Sequence, residues 1–181
     1  SRVDINLPGV QEELIKEIVK TGKPVVVLWM SGRPMTFKWT AENVPAILYT
    51  WFLGWESGNA IADVLFGDYN PSAKLPVTIP RAVGQVPIYY ASRSTGRPVL
   101  DEKEIEDHSA YIDEKNTPQY AFGYGLSYSD FEYSNLKASK TKFKPEEKII
   151  ISFDLKNTSA RDGEEVAQLY IHDIAASVAR P

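Results

Sequence analysis

The 181-residue chain has no cysteine. Disulfides, thiolate zinc sites and cysteine nucleophiles are therefore excluded. Histidine is nearly absent. His108 and His172 lie far apart without ligand spacing, so neither a metal site nor a Ser-His-Asp arrangement is expected. No apolar run is long: Pro24–Met30 is the longest, far below the ~20 residues of a membrane span. No charged-then-apolar leader is visible, so no signal peptide is expected from these residues. Neither sign of charge dominates, with 20 basic against 24 acidic residues and a net charge of −4. Without a basic patch, nucleic acid is not an expected partner. The acidic run Asp101–Asp107 lacks the alternating spacing of a calcium loop and reads as a solvated loop.

Hydrophobic residues make up 43% of the chain and charged residues 24%. That is the composition of a folded domain, and a chain of this length hides roughly 70% of its unfolded surface. Aromatics reach 12%, with ten tyrosines and four tryptophans, which is compatible with a carbohydrate-handling surface.

Periodicity organises the first third. Leu14, Ile15, Ile18 and Val19 fall on one face of a helix over 11–21. Gly22 and Pro24 punctuate its end. The β-branched run from Pro24 to Met30 suits a strand of a parallel sheet. A helical turn is expected at 40–43, a second buried strand at 46–51 and a helix at 59–66. This order indicates α/β architecture, an open sheet with flanking helices. Between Asp68 and Pro98, five prolines exclude a long helix. After the turn at 123–125 the period becomes two. Ile149, Ile151, Phe153 and Leu155 alternate, and so do Val166, Gln168, Tyr170 and His172. These strands read as the opening of a β-sandwich, cut short of the roughly seven strands such a module needs.

The most specific stretch is Trp51–Pro80, WFLGWESGNAIADVLFGDYNPSAKLPVTIP. It resembles the second domain of glycoside hydrolase family 3, with a pattern like W-x-x-G-x-E-x-G-x-A-x-A-D-V-L-F-G-D-x-N-P-S-G-K-L-P-x-T-x-P. Ala73 departs from the family's glycine, so positive φ is not expected there. Ser1-Arg2 with Leu7-Pro8-Gly9-Val10-Gln11, Gly22–Val27 with Gly32-Arg33-Pro34, Gly84–Tyr90, Tyr111-Ile112-Asp113 and Phe122–Tyr128 extend the likeness. Asn157–Ile171 looks like the start of the family's fibronectin-III-like domain.

The resemblance implies an α/β second domain over 1–125 and the start of a fibronectin-III-like β-sandwich over 126–181. It implies a parent β-glucosidase that cleaves terminal β-linked glucose with retention. Its nucleophile would lie in a (β/α)8 barrel, for which 181 residues have no room. Its acid/base Glu would lie a few residues ahead of the Ser1-Arg2 pair. No catalytic residue is therefore assigned here, no cofactor or metal is expected, and the chain alone is expected to be inactive. A β-xylosidase of the same family and a non-catalytic glycan-binding module are the alternatives. The location implied is periplasmic or secreted, with a cytoplasmic one as the alternative.

Four residues are candidates for the sugar side. Glu56 sits in a Gly-flanked loop after a strand, where ligands of open α/β sheets gather. It equally suits the first turn of the next helix, where the dipole favours a carboxylate. Trp51 and Trp55 have two readings each, stacking on a sugar ring or packing in a core or domain interface. Arg2 either reaches the sugar pocket or forms an interdomain salt bridge.

Overall fold

The computed structural model describes residues 2–92, 96–99 and 108–175. The acidic run Asp101–Asp107 lies outside the described residues. The chain divides into two compact units. One comprises Ser1–Ile61, Lys74–Tyr124 and Gln168–Pro181, the other Ala62–Ala73 and Gly125–Ala167.

In the first unit, α1 spans Gln11–Lys20. Glu12 and Glu13 occupy its first turn and Lys20 its last, both favourable to the helix dipole. Lys16 pairs with Glu12 at 2.7 Å and Glu13 at 2.9 Å. Gly22 ends the helix at φ 70°, its N–H donating to the Val19 carbonyl.

β1 (Val26–Trp29) and β2 (Ala46–Tyr49) pair in parallel, Val26 beside Ala46 and Trp29 beside Tyr49. Parallel neighbours need a crossover. It includes the short helix α2, Lys38–Asn43. α3 spans Ser57–Phe66. The α/β architecture expected from the sequence is thus present.

The core of this unit is Trp29, Met35, Phe37 and Ile79, with Leu7, Ile47, Tyr49 and Tyr120 packed against it. Phe37 lies 4.3 Å from Trp29 between ring centroids and 6.1 Å from both Tyr49 and Tyr120. Ile79 bridges to Tyr120 and is fully buried. Among the described residues of the proline-rich segment there is no α-helix, and a 3-10 turn spans Val83–Gln85. The turn expected at 123–125 lies at 122–123. Gly123 adopts φ 79°, and a Cβ there would meet Gln168 Oε1 and the Tyr170 hydroxyl at 2.0 and 2.6 Å.

The second unit contains an antiparallel ribbon of β3 (Phe131–Ala138) and β4 (Ile151–Asn157). β3 is missing from the sequence expectations. Its alternation is broken by a register shift between Ser134 and Lys137, with Asn135 at φ 54°. The strand expected at Glu165–His172 is absent. Those residues carry no ladder, and Leu169 and Ile171 are exposed. No neighbouring strand edge among the described residues pairs with them, and alternation alone does not make a strand.

Asn70 ties the unit together. Its Oδ1 accepts from the Ser127 hydroxyl at 2.9 Å and the Tyr128 N–H at 2.8 Å. Its Nδ2 donates to Ser129 Oγ at 2.8 Å and the Asp162 carbonyl at 2.9 Å. All four hydrogen-bonding positions of the amide are filled. Among the described residues, the non-glycine residues with positive φ are Trp51 and Asn135. Ala73 therefore tolerates its Cβ, as its departure from the family pattern implied.

Candidate functional site

β1 and β2 both end on the same edge of the sheet, and their following loops carry the candidate residues. Thr50 closes the strand ends by donating to the Trp29 carbonyl through its N–H at 3.0 Å and its hydroxyl at 3.3 Å. In the loop after β1, the Ser31 hydroxyl donates to the Arg33 carbonyl at 3.0 Å. The Tyr49 hydroxyl donates to the same carbonyl at 2.6 Å. Burial pushes the Tyr49 phenol above its ordinary pKa, partly offset by its hydrogen bonds.

Arg33 in turn fixes the N-terminal segment. Its Nη1 donates to the Arg2 carbonyl at 2.8 Å. The Thr36 N–H donates to the Ile5 carbonyl at 3.0 Å, and the Thr36 hydroxyl donates to Asn6 Oδ1. Arg2 is thereby brought to the strand ends by its backbone, and the residue itself is exposed.

The loop after β2 is held differently. Trp51 adopts φ 53°, a conformation costly for a bulky L-residue. Its half-buried ring lies 4.4 Å from that of Tyr49, so it packs as well as borders the site. Phe52 approaches the first loop so closely that a Cβ at Gly32 would lie 2.5 Å from the Phe52 ring. Trp55 is 96% exposed. The packed-core reading of Trp55 does not apply within this chain.

Glu56 immediately precedes α3. Its carbonyl accepts from the Ala60 N–H at 3.0 Å, and its Oε2 accepts from Asn59 Nδ2 at 2.6 Å. Glu56 thus stands one residue ahead of the first turn in which the sequence reading set it, with its carboxylate bonded to the Asn59 side chain. It remains exposed. Trp51, Trp55 and Glu56 lie in the segment between β2 and α3, and the Arg2 carbonyl is held by Arg33 of the loop after β1.

The loops after β1 and β2 also carry exposed apolar surface at Met30, Phe52 and Leu53, with Phe52 at 78% exposure. Among the described residues, no group of three or more His, Asp or Glu could hold a metal ion. No helix among them is long and apolar enough to cross a membrane.

A cavity of about 370 Å³ opens elsewhere, between α1 and α2. Trp39, Lys38, Glu12, Glu42, Asn6 and Arg81 line it. Trp39 was not singled out by sequence. The available signal was its i,i+3 spacing from Glu42 on one helix. Lys38 Nζ lies 2.6 Å from Glu114 Oε2. This hydrogen bond holds the Glu114 carboxyl below its ordinary value and raises the Lys38 ammonium.

Comparison with known proteins extends this description. The family profile described as "Glycosyl hydrolase family 3 C-terminal domain" matches residues 1–128. The chain is 48% identical over 181 residues to a periplasmic beta-glucosidase of Salmonella typhimurium, covering 100% of this chain and 24% of that protein. It is 41% identical over 183 residues to a beta-xylosidase of Formosa agariphila, covering 99% of this chain and 24% of that protein. Among solved structures, a variant beta-glucosidase from Listeria innocua in complex with laminaribiose superposes with a TM-score of 0.89. It is 42% identical, with 98% of this chain and 24% of that one covered. A beta-glucosidase from Erythrobacter marinus gives a TM-score of 0.88 at 42% identity, covering 100% of this chain and 23% of that one. The chain thus spans about a quarter of the length of the relatives it matches.

Proposed function

Because the chain belongs to glycosyl hydrolase family 3, with residues 1–128 matching that family's C-terminal domain, we propose that it is one lobe of a retaining β-glucosidase. The parent enzyme would remove terminal β-linked glucose from oligosaccharides or glucosides. The observation that carries this reading is the 48% identity to a named beta-glucosidase across the whole of the chain.

The chemistry needs two carboxyl groups about 5–5.5 Å apart, one a nucleophile and one an acid/base. Glu56 is committed to the start of α3 by Asn59 and Ala60, so it is a positioning and binding group in this reading. The catalytic pair comes from outside these 181 residues, the nucleophile from a (β/α)8 barrel. The chain's own contribution is a wall of the sugar site. Trp55 offers its exposed indole to the apolar face of a pyranose ring. Glu56 accepts from sugar hydroxyls, and Arg2 donates to them. Trp51 braces the loop against Tyr49. The exposed Met30, Phe52 and Leu53 beside them suit cover by the barrel.

Residues 1–125 form the α/β domain in this reading, and residues 126–181 open a fibronectin-III-like sandwich. Supporting it, Tyr133 stands opposite Leu155 and lies 5.6 Å from Phe153 between ring centroids, on one face of the ribbon. All three are more than a third exposed. A two-stranded ribbon with such a face needs further strands to bury it. A periplasmic location is supported by the Salmonella relative's name.

The β-xylosidase alternative is favoured by one observation, the 41% identity to the Formosa enzyme. A panel of aryl β-glycosides on the enzyme carrying this domain separates the two. Expected is a higher kcat/KM for the glucoside than for the xyloside, with Trp55→Ala raising KM. Preference for the xyloside overturns the glucosidase reading.

A further inference from the structure

The cavity between α1 and α2 falls outside the Trp51–Glu56 loop and has a different composition. It is an open groove of about 370 Å³ lined mainly by polar and charged side chains. Trp39 forms an aromatic wall and is half-buried. Lys16 sits over its ring, 5.4 Å from the centroid, and is itself held by Glu12 and Glu13. The indole is therefore braced before any ligand arrives, which lowers the ordering cost of binding.

The charged lining cancels. Glu12 and Glu42 stand against Lys38 and Arg81. Both cations are also engaged by oxygen acceptors. Lys38 pairs with Glu114. Arg81 donates to the Thr117 carbonyl at 2.9 Å and to Gln119 Oε1 at 3.2 Å. With Lys38 paired to Glu114 and Glu42 lining the same cavity as Arg81, an anion would meet no net positive charge and a cation no net negative charge. A purely apolar ligand would strand the amide of Asn6 and the carboxylates. A polyhydroxylated ring meets both demands. Its C–H face lies on an indole, and its hydroxyls donate to carboxylates and accept from N–H groups.

We propose that this cavity is a saccharide-binding site, with Trp39 as its stacking wall and Glu42 and Asn6 as hydroxyl partners. The choice of β-linked glucose as the sugar rests on the glycosidase reading above. The cavity's preference for a neutral polyol does not.

The test is a titration of this chain with cellobiose, followed by the indole N–H signals of its four tryptophans. At millimolar sugar the Trp39 signal is expected to shift and saturate. Glu42→Gln, at an exposed position, should raise Kd about threefold. Trp39→Ala should raise it about tenfold or more while the chain stays folded by circular dichroism. A Trp39 signal that does not move at millimolar cellobiose overturns the proposal. So does a Kd unchanged in Glu42→Gln. Because binding is read on this chain, a parent enzyme without glucosidase activity would fail the function reading and leave this titration intact.

Discussion

The Tyr49 hydroxyl donates to the Arg33 carbonyl at 2.6 Å, linking the end of β2 to the loop that follows β1. Arg33 passes the restraint on through its guanidinium to the Arg2 carbonyl. Removing the phenolic oxygen leaves the carbonyl with Ser31 as its remaining partner. Tyr49→Phe is expected to cost about 1 kcal/mol, measured by urea denaturation.

The same residue carries a pH signature. Burial holds its phenol above the ordinary value of 10.0, so the folded chain retains that proton more tightly than the unfolded chain. The resulting stability is complete below the unfolded value and is lost as pH rises through the raised folded one. Tyr120 acts in the same direction for the same cause. Unfolding free energy should therefore fall above pH ~10, and less steeply in Tyr49→Phe. Equal slopes for the two proteins would contradict this.

Trp51 at φ 53° reverses the usual order of small substitutions. At an ordinary position alanine is more stabilising than glycine. Here both lose the ring contact with Tyr49, but only glycine relieves the backbone. Trp51→Gly should therefore be more stable than Trp51→Ala by about 1 kcal/mol, read from their urea midpoints.

Asn70 is bonded at both ends of its amide within the second unit. Asn70→Ala leaves the Tyr128 N–H and the Asp162 carbonyl without the partners they have now. A loss of about 2 kcal/mol is expected. A change below about 0.5 kcal/mol, the range of ordinary surface substitutions, would deny Asn70 its role as a clamp.

Lys38 holds the Glu114 carboxyl below its ordinary range. Stability from this pair is present above the unfolded carboxylate value and is lost as pH falls through the lowered folded one. The Glu114 side-chain carbon should titrate at a lower pH than a free glutamate by NMR. Lys38→Met should return it upward.

The elements that could be read in advance are those whose period is unbroken. Leu14, Ile15, Ile18 and Val19 mark α1, and Val26–Trp29 announces a strand of a parallel pair. β3 was not legible because Asn135 and Leu136 interrupt its alternation with a bulge. The Glu165–His172 segment misled in the other direction. It alternates, yet pairing depends on a neighbouring edge that local sequence does not encode. At the site, the helix-start role of Glu56 was visible from its position before a helical period. The exposure of Trp55 was not, since a tryptophan beside glycines fits a buried interface equally well. The four bonds of Asn70 were not legible either, because they depend on residues 57 to 92 positions away.

The most direct test of the domain reading is the hydrolysis of p-nitrophenyl β-glucoside by this chain alone, folded as judged by circular dichroism. On the proposed reading, in which the paired carboxylates come from outside these residues, the expected result is no turnover above the uncatalysed rate. Turnover that copurifies with the 181-residue chain would contradict that claim and return Glu56 to consideration as a catalytic group.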